Sequence, residues 1–160
     1  MDPRMVALKL LLDALGVKSE PDSFEARKRL QKAVYLAQQA GGDLGYRFGW
    51  YIHGPYSPQL TQDYFGLSEA IDEGDKSYEG HELTDEYQAK LKKLIADWGV
   101  QVKTGLSQLS WLELLASVHF LERSSRLNFD DAKKILDKQK PDLAPFAALA
   151  QEQLKKMSLL

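Results

Sequence analysis

YRFGWYIHGPYSPQL, Tyr46–Leu60, is the stretch on which the fold turns. Its first eight residues alternate as a strand does, with Tyr46, Phe48, Trp50 and Ile52 on one face and Arg47, Gly49, Tyr51 and His53 on the other. Gly54-Pro55 ends such a strand, because proline donates no hydrogen bond to a ladder and glycine accepts unusual dihedral angles. Ser57-Pro58 then starts a helix, with a hydroxyl at the N-cap and proline at the first helical position. On this reading Trp50 and Ile52 belong to the core. Tyr51, His53 and Tyr56 are left free for chemistry or binding.

Upstream, Val6, Leu8, Leu11, Leu12 and Leu15 suit an amphipathic helix over 4–16 that closes at Gly16. Asp22 with Glu25 reads as a capping box for a second helix over 23–40, whose inner stripe is Leu30, Val34 and Ala37. Downstream, a helix over 58–73 turns Leu60, Tyr64, Leu67 and Ile71 inward and stops at Gly74. DKSYEGHELTDE, Asp75–Glu86, suits a short hairpin turning near Gly80. Asp85 and Glu86 then suit the positive start of a helix over 85–98, with Tyr87, Leu91, Leu94 and Trp98 inward. LSWLELLASVHFLER, Leu109–Arg123, is apolar nearly all round and reads as the central buried helix. Ser110 with Glu113 is a second capping-box pattern, and Leu109 and Leu114 stand where a hydrophobic staple puts them. Two further helices follow, over 129–139 from Asn128 and over 145–157.

The order helix, helix, strand, helix, hairpin resembles a winged helix-turn-helix. The expected fold is therefore mostly α: a winged-helix-like core with a small β-hairpin or sheet, plus C-terminal helices. It forms a single domain over 1–160, with a winged-helix-like part over 1–104 and a helical part over 105–160 packed on it. At 160 residues, with 44% hydrophobic and 28% charged residues, the chain has the makings of one ordinary globular core. Lys9 and Asp13 interrupt the apolar N-terminal run, so it reads as a helix and not as a signal peptide, and the expected address is the cytoplasm.

Catalytic signatures are missing one by one. The chain has no cysteine, which removes disulfides, thiolate metal sites and a cysteine nucleophile. Phosphate-cradling and dinucleotide-binding glycine motifs are missing, as are the GxSxG and SxxK serine-enzyme motifs. The histidines are His53, His81 and His119, and no two stand three or four residues apart as local zinc ligands do. His119 reads as a core histidine bonded to a neighbour and His81 as a solvated turn residue. A catalytic reading rests on His53 beside Tyr51 and Tyr56; the expectation is no enzyme, no cofactor and no metal.

Charge is distributed unevenly although the net is only −2. Segment 23–50 carries five cations (Arg27, Lys28, Arg29, Lys32, Arg47) against Glu25 and Asp43, a net of +3. Segment 57–86 carries nine acids against Lys76, a net of −8. A DNA-reading helix over 58–73 would offer Gln59, Thr61 and Gln62 to bases, yet it has no Lys or Arg and duplex DNA repels its acids. Arg27, Lys28, Arg29 and Lys32 are the remaining route to phosphates, with Glu25 placed to pair with Arg29. The acidic band suits a basic protein partner instead. Arg47, Tyr51, His53 and Tyr56, with Asp72 and Glu73 from the acidic band, are the expected protein-binding residues; no membrane is expected to be involved.

RKRLQKAVYLAQ (Arg27–Gln38), then GYRFGWYIHGPYSPQL (Gly45–Leu60), then YEGHELTDE (Tyr78–Glu86), resembles the YwgA-type family of small bacterial proteins, and more distantly the Panacea antitoxin domains. In both, a basic helix with a core like Gln31, Lys32, Tyr35 and Leu36 leads into an aromatic segment and a turn like Gly54, Pro55, Tyr56 and Ser57. LSWLELLASVHFL is similar to a later helix of the YwgA-type members. The resemblance implies a compact helical domain of winged-helix character. Through the Panacea-like members it implies an antitoxin that neutralises a toxin by protein contact. The function expected is thus a non-enzymatic protein-interaction module, antitoxin-like or a defence-associated adaptor; the alternative is a winged-helix transcriptional regulator.

Overall fold

The computed structural model describes residues 1–98 and 104–160; residues 99–103, near the end of the expected winged-helix-like part, lie outside them. Among the described residues the chain is mostly helical. It runs α1 (Pro3–Leu15), α2 (Phe24–Gln39), β1 (Gly49–Tyr51), β2 (Gly54–Tyr56), α3 (Pro58–Asp72), α4 (Asp85–Trp98), α5 (Gln108–His119), α6 (Phe129–Gln139) and α7 (Ala147–Lys156). No helix among the described residues is long and apolar enough to cross a membrane.

Helix ends follow local chemistry. Asp2 caps α1 by accepting from the Met5 amide, and Gly16 closes that helix at φ +67°. Ser57 caps α3 with Pro58 as its first helical residue, and Asn128 caps α6. Both expected capping boxes are corrected. Ser23, not Asp22, caps α2 by accepting from the Ala26 amide. Ser107, not Ser110, caps α5. Starting α5 a turn earlier moves Glu113 out of the capping position and into the interior, where it is buried.

The core forms around two helices. The chain is buried from Trp111 of α5 through Leu121 just beyond it, and α5 packs against α2, β2 and α7. α2 is buried around its whole circumference from Leu30 to Ala37, not only along the stripe Leu30, Val34 and Ala37. Tyr35 and His119 join the two helices, with the tyrosine hydroxyl 2.7 Å from Nδ1. His119 is the core histidine bonded to a neighbour that its sequence context predicts. Beyond it the chain widens into one π-turn, Phe120–Ser124.

The aromatic segment is a hairpin, not one strand. β1 pairs antiparallel with β2 in the register Gly49↔Tyr56, Trp50↔Pro55, Tyr51↔Gly54. Gly54-Pro55 therefore opens the second strand and does not end the first. Ile52 and His53 form the two-residue turn and keep negative φ, while Gly54 takes the left-handed step at φ +92°. The turn projects Ile52 into solvent at 83% exposure, against its expected core position. Alternation cannot signal this reversal, because each arm of a three-residue hairpin looks like a continuation of the other.

The hairpin expected over Asp75–Glu86 is not formed. Residues 75–84 run as turns and coil into α4, whose first turn is capped by the Thr84 hydroxyl. Asp75 accepts from the Ser77 amide in a local turn, and Gly74 and Gly80 take φ of +87° and +81°. No run of alternating apolar residues is available there to bury one face of a sheet. The two-stranded sheet lies before α3, and no wing follows α3 among the described residues.

Candidate functional site

Five residues of α2 repeat at helical spacing along one face: Phe24, Arg27, Lys28, Gln31 and Lys32. Together with His53 and Tyr56 of the hairpin and Thr61 and Phe65 of α3 they line a groove of about 230 Å³. Its inner end is polar and closely bonded; its mouth is aromatic.

At the inner end, Gln31 ties the three elements together. Its side-chain amide donates to the Ser57 carbonyl and to the Thr61 hydroxyl, both at 2.9 Å. Its carbonyl accepts from the Ser57 amide at 2.8 Å. Thr61 in turn donates to the Tyr56 hydroxyl at 2.9 Å. An isolated two-stranded hairpin is marginal in water, so this one depends on such anchors.

The remaining anchors are charged. Lys32, 1% exposed, donates to the Pro55 carbonyl at 2.8 Å. Lys140, just after α6, donates to the Ile52 carbonyl at 2.6 Å and to Glu113 at 2.8 Å. Lys28 pairs with the other oxygen of Glu113. Lysine donors thus occupy hairpin carbonyls that no third strand reaches. Trp50 closes the far side, donating to Gln139 at 2.8 Å and lying with its ring centre 5.6 Å from the Lys140 ammonium. Gly54 fits only because it lacks a side chain: a Cβ there would stand 2.5 Å from the buried Ser117 hydroxyl.

Lys28 and Lys140 share the Glu113 carboxylate, and the buried Lys32 stands close to them. Burial pulls Lys32 down from 10.5 to about 7, with Glu113 opposing and Lys140 and Lys28 reinforcing that shift. Burial and then the Lys28 charge lower His53 below the usual histidine value. Burial disfavours the charge on Glu113, but hydrogen bonds from Lys140 and Lys28 outweigh it and its pKa falls.

At the mouth, Phe24 is 53% exposed and Phe65 48%. His53 sets its ring edge-on to Phe24 at 5.1 Å between centres. Tyr51 and Tyr56 meet edge-on at 5.1 Å, Tyr51 being half exposed.

The expected binding residues divide. Tyr51, His53 and Tyr56 come together at the hairpin, and His53 and Tyr56 share the groove. Arg47 is exposed ahead of β1. Asp72 and Glu73 are exposed at the far end of α3; eleven residues past Thr61 along a helix is about 16 Å. The cations around the groove replace the acids expected there. The acidic band is also thinner at the surface than its sequence: Asp63 is buried and accepts from the Tyr46 hydroxyl at 2.7 Å and from Arg4 at 2.8 Å.

The basic run is likewise redirected. Lys32 is inside, Lys28 is held by Glu113, Arg27 donates to the Pro21 carbonyl, and Arg29 donates to Gln108 and not to Glu25. Sequence reasoning missed Phe24, Phe65, Glu113 and Lys140 as parts of the site. The spacing of Phe24, Lys28 and Gln31 along α2 was a usable signal. For Lys140 there was none, because it arrives from 88 residues beyond Ile52.

No family model, curated protein or solved structure matches the chain.

Proposed function

We propose that the protein is a non-enzymatic interaction module that docks a protein partner in the groove between α2, the hairpin and α3. The observation that carries this reading is the exposed aromatic mouth, with Phe24 and Phe65 each about half exposed in the lining of a preformed groove and the half-exposed Tyr51 packed against its Tyr56. Large exposed apolar side chains clustered in one place mark contact surfaces, and aromatic residues dominate interface anchors. An antitoxin-like or adaptor role uses such a module directly, the partner being the protein it restrains or carries.

Two features weigh against catalysis at this groove. Its volume is below the roughly 300–1,000 Å³ usual for small-molecule sites. Its tyrosine hydroxyl accepts from Thr61, and the groove is lined by no carboxylate that could pair with His53 or Tyr56. The DNA-binding, winged-helix reading needs four cations on the phosphate backbone, and Lys32 and Lys28 are spent on the hairpin and on Glu113.

Tagged wild-type protein and a Phe24→Ala, Phe65→Ala double variant are compared in nuclease-treated pull-downs from the native host. Both phenylalanines are exposed, so the double variant keeps the wild-type melting temperature. A stoichiometric protein lost with the variant is the expected result. A partner retained by the variant, or DNA recovered without nuclease and stripped by salt, overturns the reading.

A further inference from the structure

The hairpin rests on two lysines that are not equally provided for. Lys140 has two acceptors for its charge, the Ile52 carbonyl at 2.6 Å and Glu113 at 2.8 Å. Lys32 has one among the described residues, the Pro55 carbonyl at 2.8 Å. Glu113 is the carboxylate that acts on Lys32, and its two oxygens are taken by Lys28 and Lys140. A lysine ammonium has three donors to satisfy. Lys32 is buried from water, so its protonated form leaves donors unmatched and a charge without a counter-ion of its own. Burying such a charge is costly.

We propose that Lys32 is a pH-sensitive latch on the hairpin: uncharged it seats Pro55 against α2, and on gaining a proton it lets the hairpin lift away. The hairpin suits this role, because it has three-residue arms and no third strand, and such a unit is marginal without its anchors. Its effect on the groove rests on the docking reading above; the latch itself does not. His53 and Tyr56 form one wall of the groove, and a lifted hairpin takes that wall away from Phe24 and Thr61. A partner docked there is released as pH falls.

The groups facing Lys32 set the sign. Glu113 of α5 favours its charge, whereas Lys140 beyond α6 and Lys28 of its own helix oppose it. From α3 the groove receives Thr61 and Phe65, which do not ionise in this range. His53 of the hairpin turn is held below the usual histidine value by burial and then by Lys28, so it titrates at lower pH than Lys32. Seated, Lys32 titrates at about 7; released into water it returns to its ordinary 10.5. Between those values the open hairpin binds the extra proton, so opening grows as pH falls. The growth levels off below about pH 7, where the seated form is protonated as well.

The test follows hydrogen exchange of the purified full chain by mass spectrometry at pH 6, 7 and 8, each rate being divided by the intrinsic rate at that pH. Peptides over residues 48–57 report the hairpin, and peptides over 111–118 report α5. The expected result is an opening constant for 48–57 that rises about tenfold from pH 8 to pH 6 while 111–118 stays protected. Lys32→Met removes the rise, and His53→Gln keeps it. A hairpin whose opening does not change with pH overturns the proposal. So does a rise that survives Lys32→Met or that His53→Gln abolishes. A rise that 111–118 follows with the same opening constant is global unfolding and overturns it too. Lysine labelled with carbon-13 at Cε reads the wild-type chain without any substitution. One resonance is expected to titrate near pH 7, and a spectrum with none titrating below pH 9 overturns the latch. These readouts need no partner, so their failure leaves the docking reading standing, and the pull-down tests that reading alone.

Discussion

Two charged stretches of this chain meet opposite fates. The basic run Arg27–Lys32 turns inward and supports a hairpin, while much of the acidic run from Glu69 to Glu86 stays in water. The difference lies in what each stretch is offered. The basic run sits on a helix that both α3 and α5 cover, and the hairpin brings it unpaired carbonyls. A buried lysine is tolerable only with such acceptors and a counter-charge. The acids lie on the last turns of α3 and on the connection to α4, where no element covers them. A run of like charges in a sequence thus says little about which face of the protein it occupies.

The contrast is open to measurement, and the largest expected effect is on its inward side. Glu113→Ala leaves Lys28 and Lys140 without their carboxylate and should cost about 3–5 kcal/mol in urea denaturation. A loss below about 1 kcal/mol would mean that the cluster is solvated and not structural.

Next comes the pH dependence of Lys32. Its folded pKa of about 7 lies below its ordinary 10.5, so between those values the unfolded chain binds more protons and stability rises with pH. The rise should reach roughly 3 kcal/mol between pH 7 and 9.5, at about 1.4 kcal/mol per unit. Above about pH 10 the sign reverses. Burial, helped by nearby acids, pushes the Tyr64 and Tyr87 hydroxyls up to about 12, so the folded chain then holds the extra protons. Lys32→Met should flatten the lower window; an unchanged slope in that variant would assign it elsewhere.

Gly54→Ala sharpens the comparison at the hairpin itself. It places a Cβ at positive φ and against Ser117, and about 1–3 kcal/mol of destabilisation is expected in the melting curve. The outward side should give the smallest effect. Reversing Asp72 and Glu73 to lysine together should shift stability by no more than about 0.5 kcal/mol. A loss as large as that of Glu113→Ala would end the contrast.

Particular residues show where sequence reading succeeds. Ser57-Pro58, Asn128 and Gly16 signal helix ends through their own hydrogen bonds and dihedral angles, and they sit where such residues should. The apolar run through Trp111–Phe120 can only be interior, and it is. Ile52 and the missing hairpin over 75–86 show the limit, since a strand's identity depends on the strand beside it. The candidate site was half legible: Tyr51, His53 and Tyr56 were visible in one segment, and their partners were not.

Local chemistry in the sequence determined the helices, their caps and the aromatic segment, because each involves residues a few positions apart. Only the tertiary structure decided which face of α2 is covered, that Glu113 and Lys140 meet beneath the hairpin, and that Lys28 and Lys32 are spent on Glu113 and the hairpin. Those facts depend on residues 23 to 88 positions apart, and on burial that turns a surface charge into a structural one.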